Sequence, residues 1–199
     1  MDPITLLIVL AIWVSVARWR EDRRRVLWLA TQLRRHPIER LMERLATAYQ
    51  RILADDDAER RQQAWSALAS DEAALAEAVA HWAREMADVA PPLARIRRYP
   101  LPGLDKLWPW AAIDLRKLLA VHAHGLREAV DNDRGLAPAA RARSVLAELY
   151  LLQHTCHWFC RSKAVASARL VTRHQTRHAD ALSVVSPESR RAYLALVGH

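Results

Sequence analysis

From Ile4 to Ala17 the chain runs for fourteen residues without a charge (ITLLIVLAIWVSVA), and Arg18-Trp19-Arg20 and Arg23-Arg24-Arg25 follow directly. Leu6, Leu7, Ile8, Val9, Leu10, Ile12, Val14 and Val16 cover every side of a helix, so a helix here has no polar stripe to turn towards water. Basic residues stay on the cytoplasmic side of a membrane. A cleavable signal peptide carries its positive charge before the apolar run, and Met1-Asp2-Pro3 has none. Residues 1–18 are therefore expected to be an uncleaved anchor in the inner (cytoplasmic) membrane with the N-terminus outside. Ile4, Leu7 and Leu10 belong to the span in this reading, with Trp13 and Trp19 near the interfaces and Arg18 snorkelling towards the headgroups.

Fourteen helical residues reach about 21 Å, short of the ~30 Å hydrocarbon core. So short a span gains from packing beside other membrane helices, and an integral-membrane partner is expected. The competing reading is a buried first helix of a soluble bundle, which apolar runs of this length often are.

The remainder, 19–199, reads as one cytoplasmic α-helical domain with a Pro-rich connector at 90–109. Only four glycines occur in 199 residues, too few for a turn-rich β architecture. The expected fold is all-α, a single membrane helix continuing into a helical bundle with one long C-terminal helix or helical hairpin. His36-Pro37 should break the first helix. Ile38, Leu41, Met42, Leu45, Tyr49 and Ile52 then form an i,i+3,i+4 stripe. Asp55-Asp56-Asp57 suits the cap of a helix carrying Trp65 and Leu68, and Ser70-Asp71-Glu72 is read as opening a further one.

The connector holds five prolines and one glycine, and is expected to be extended without a strand ladder. Its Leu101, Leu104, Leu107 and Trp108, with Trp110 next to it, have two readings. They plug the helical core, the preferred one, or they rest with Arg95, Arg97 and Arg98 on an anionic membrane surface. Pro109 is expected to start a helix ending near Val130. From Ala139 to Ser186 there is no proline or glycine, and an unbroken helix of about 70 Å would outreach a compact domain. A bend within 160–168 is expected, and Ser186-Pro187-Glu188 should cap a last helix.

Cys156, Cys160, His174 and His178 have the spacing C-x3-C-x13-H-x3-H, a donor set suited to tetrahedral zinc. The surrounding sequence is helical and lacks the hairpin of a zinc finger, and two cysteines four apart on one helix serve equally as small apolar fillers. His154 and His157 add a possible haem ligand pair.

Arg161, Lys163, Arg169, Arg173 and Arg177 form a basic ridge, with no acid between Glu148 and Asp180 in a chain of net charge +8. A ridge of this kind takes an anionic partner: an acidic protein, anionic lipid or nucleic acid. No phosphate loop, nucleophile elbow or H-E-x-x-H motif occurs. The expected function is a non-enzymatic, membrane-anchored adaptor or accessory subunit that docks an acidic or anionic partner. A zinc- or haem-binding module and a nucleic-acid binder are the alternatives.

Overall fold

In the computed structural model, which describes residues 2–99, 101 and 103–198, α1 runs unbroken from Pro3 to Leu33. Its 31 residues make a rod of about 46 Å. The side chains from Asp2 to Trp13 are all exposed, and burial begins only at Asp22 and Leu29. The apolar half projects from the body and the charged half packs on it. The helix is long and apolar enough to cross a membrane, and none of its apolar window is buried in the protein. It is therefore not buried in the core of this chain. Backbone bonds from Arg34 to Ala30 and from His36 to Leu33 close its end, where Pro37 cannot continue the ladder.

Beyond that corner, α2 (Ile38–Ala54) buries the expected stripe of Ile38, Leu41, Leu45, Tyr49 and Ile52. Asp57 caps α3 (Ala58–Ala87) by accepting from the Glu59 and Arg60 amides at 2.9 and 3.1 Å. The helix start expected at Ser70 does not exist, because α3 continues through it. Asp71 and Glu72 serve tertiary pairs: Asp71 meets Arg44 at 3.0 Å, and buried Glu72 accepts from Tyr49 and Arg141.

The connector departs from expectation in two ways. It contains a ladder: β1 (Arg95–Arg97) pairs antiparallel with β2 (Ala112–Asp114), with Ile96 opposite Ile113. Both isoleucines are buried, and this apolar pair closes the stretch into a loop. The tip of that loop is the second departure. Tyr99, Leu101, Leu107, Trp108 and Trp110 do not plug the core and are all exposed, Leu107 by 72% and Trp110 by 62%. The tip carries a one-turn helix, α4 (Leu104–Leu107), entered through Gly103 at φ +80°.

The next helix begins later than Pro109. Strand β2 intervenes, and α5 (Leu115–Asp131) is capped by Asp114, which accepts from the Arg116 amide at 3.0 Å. α6 (Pro138–Cys160) is the axis of the fold, buried on all sides from Ser144 to Leu152. The expected bend falls at Arg161-Ser162. Ser162 caps α7 (Lys163–His174), which returns along α6 as the second arm of a hairpin. Two short helices, α8 (His178–Val184) and α9 (Pro187–Val197), complete the body, and Ser186 caps α9 by accepting from the Ser189 amide at 3.0 Å.

Candidate docking cleft

The junction between the apolar half of α1 and the body is built from ions. Glu21 and Asp22 are the only acids between Asp2 and Glu39, and both turn inward. Arg25 pairs with Glu21 at 3.1 Å and with Asp105 at 3.2 Å, while Arg97 pairs with Glu21 at 3.3 Å and with Asp22. The same guanidinium groups donate to Phe159 O at 3.4 Å and Arg161 O at 3.3 Å, at the C-terminal end of α6. Cations belong there, since the helix dipole leaves partial negative charge on unpaired carbonyls. Trp158 Nε1 donates to Arg97 O at 3.0 Å and completes the clamp. Three elements distant in sequence are thereby fixed to one turn of α1.

Below this clamp, α1, α2, α6 and α7 enclose a cleft of 630 Å³. Val26, Leu29, Leu33, Met42, Ala46 and Cys156 give it an apolar floor. Arg161, Arg169 and Arg173 line one side, and Glu39 and Glu43 the other. His157 lies among the arginines. Burial, then Arg169, Arg173 and His174, hold its imidazole down at about 4. It is neutral, and its Nδ1 accepts from Arg169 Nη1 at 3.3 Å.

The five ridge residues are all exposed, and they differ in how far the protein already satisfies them. Arg161 meets Asp22 at 3.6 Å, Arg173 meets Glu43 at 3.6 Å across the cleft, and Arg177 meets Asp180 at 2.9 Å. Lys163 stands over the Trp158 ring at 5.3 Å. Arg169 has no carboxylate within 4 Å among the described residues. Of the five residues of the sequence ridge, Arg161, Arg169 and Arg173 line the cleft, and Lys163 and Arg177 lie outside it. The sequence pattern could not show the apolar floor or the acidic wall, because Val26, Met42, Glu39 and Glu43 belong to helices more than a hundred residues away in the chain.

Cys156, Cys160, His174 and His178 do not converge. His174 Nε2 bonds Gln153 Oε1 at 2.7 Å and its ring stacks on Tyr150 at 4.2 Å. His178 turns to Tyr193 OH at 3.0 Å, beside His154. Burial pushes both thiols up, Cys160 to about 11, so each is a protonated apolar filler. Among the described residues the ligand atoms that do gather are His36, His81 and Glu85, within 4.8 Å of one another. There Glu85 bridges His36 at 2.9 Å and His81 at 3.6 Å, tying the α1–α2 corner to α3. Asp114 holds Arg116 at 2.7 Å, and buried His122 bonds Thr155 at 2.8 Å.

No family model, curated protein or solved structure matches this chain.

Proposed function

We propose that the protein is a single-pass, membrane-anchored adaptor. In this reading its cytoplasmic helical body clamps an amphipathic helix of an integral-membrane partner where that helix leaves the bilayer. The observation that carries the proposal is the cleft. It has an apolar floor and one arginine wall, and its opening wall is the same helix as the apolar span. Val26 lies nine residues beyond Ala17, about 13 Å along the helix, within reach of a juxtamembrane segment.

An apolar strip on the incoming helix would cover Leu29, Leu33 and Met42, and an acidic edge would meet Arg169 and Arg173. Charge complementarity of this kind chooses partner and register more than it sets affinity. Orientation with the N-terminus outside follows from the arginines that flank only the inner end of the span. Arg173 is already bridged to Glu43, so the partner's acidic edge has to displace Glu43 in order to bind.

The test is a photo-crosslinking amino acid at Met42, in the native membrane, with and without Arg169→Glu/Arg173→Glu. One integral-membrane protein should crosslink at Met42, and the double reversal should abolish its adduct while the chain stays folded and membrane-bound. Adducts that are unchanged by the reversal would refute the cleft as the docking site.

A further inference from the structure

Within twelve residues of chain the connector exposes Tyr99, Leu101, Leu107, Trp108 and Trp110, and Leu93 is exposed just before β1. Scattered exposed apolar residues are ordinary; a contiguous set of this size marks an interaction site. Tyr99 and Trp110 already pack edge to face at 5.8 Å, so the two ends of the loop present one aromatic surface. The loop is also rigidly held. Arg25 ties Asp105 at 3.2 Å and the Arg95 carbonyl at 2.7 Å, and Arg95 donates to the Asp105 carbonyl at 3.0 Å. The only acid between Ala90 and Ile113 is this Asp105. It is buried, so the exposed tip presents no carboxylate.

The height of the tip identifies its occupant. Gly103 lines a shared hollow with Trp13, Val16, Ala17, Arg20, Glu21 and Arg24 of α1. The tip thus lies beside the last turns of the apolar span and the first exposed arginines, not beside the far end of the body. We infer that the exposed side chains of Tyr99, Leu101, Leu107, Trp108 and Trp110 are a second membrane element, an interfacial wedge that enters the headgroup and upper acyl region of the bilayer alongside the end of α1. The inference rests on α1 being inserted.

Tryptophan, tyrosine and leucine are the side chains that favour this zone. Arg20, Arg23 and Arg24, exposed around the same level, face the anionic headgroups. The wedge also answers the length deficit of the span. A helix with about 21 Å of uncharged length is too short to bridge the ~30 Å core alone, and an apolar loop beside its inner end lets the bilayer meet Arg18 and Arg20 without exposing that end to water.

The test uses full-length protein with Cys156→Ala and Cys160→Ala in phosphatidylcholine/phosphatidylglycerol nanodiscs. Single nitroxide labels are placed at Leu107, at Ile8 in the span and at Thr172 on the exposed face of α7. Collision with oxygen reports lipid, and collision with a water-soluble nickel chelate reports solvent. The oxygen-to-nickel ratio at Leu107 should shift from the value at Thr172 towards the value at Ile8. If Ile8 reads as lipid while Leu107 reads as water, or as shielded from both reagents by protein, the wedge is refuted and the anchor stands. If Ile8 itself reads as water, the membrane reading fails and the wedge with it.

Discussion

His122 and His154 carry no charge in the folded protein, because burial, aided by the neighbouring His178, holds each down at about 3. An unfolded histidine takes its proton near 6.5. The stability these two contribute is therefore complete above about pH 6.5 and is lost as pH falls towards 3. Glu148 works in the opposite direction. Burial first, then Glu128, pushes its carboxyl from 4.5 to about 7. The folded protein keeps a proton that the unfolded chain releases, so stability falls as pH rises through that window. Each group contributes about 1.4 kcal/mol per pH unit, and two histidines outweigh one carboxyl. Tm of the detergent-solubilised protein should fall from pH 7 to pH 5. Glu148→Gln should raise Tm at pH 8 by about 3 °C or more and make the acid fall steeper. A Tm that rises on acidification, measured by scanning fluorimetry, would contradict this assignment. These roles were half legible in the sequence: a histidine on an apolar face reads as a core hydrogen-bonding group, but its partners Thr155 and Ser167 depend on how α5 and α7 meet α6.

At the scale of elements, the periodic helices were readable and the junctions were not. The α2 stripe, the Asp57 and Ser186 caps and the reversal after Cys160 each follow from a local rule about period, capping or length. The false helix start at Ser70 shows the opposite case. Ser-Asp-Glu is a capping sequence only where the chain is free to turn, and here its acids are committed to Arg44 and Arg141. The β1–β2 pair was missed because three-residue strands give no periodic signal, and their pairing is set by the burial of Ile96 on Ile113. The ionic clamp was equally hidden, since Glu21, Asp22, Asp105 and Arg97 look like ordinary surface charges until the fold buries them. That clamp carries a prediction. Asp22→Ala takes the closest carboxylate from the buried Arg97 guanidinium and leaves Glu21 at 3.3 Å, so the cost falls below that of a wholly unpaired buried charge, at about 1–3 kcal/mol. Chemical denaturation in detergent should show a loss near that size, with hydrogen exchange rising first in β1 and around Arg161. A loss below about 1 kcal/mol would mean that Glu21 alone neutralises Arg97.

For the whole molecule, the apolar half of α1, the exposed connector tip and the open cleft lie along one direction, from the span, past the ionic clamp, to the basic wall of α7. In the proposed arrangement, a body rigidly joined to a short span holds its cleft at a fixed height, which a flexible linker would not do. The broad plan, an apolar helix leading into an all-α body with a C-terminal hairpin, was legible from charge placement and from the scarcity of glycine. The central claim is that α1 lives in a bilayer, and carbonate washing of membranes from cells making the untagged full-length chain tests it most directly. The chain is expected to stay in the membrane pellet after the wash and to be released by detergent, whereas deletion of Met1–Ala17 should move a folded helical body to the wash supernatant. Recovery of the full-length chain in the supernatant without detergent would contradict it.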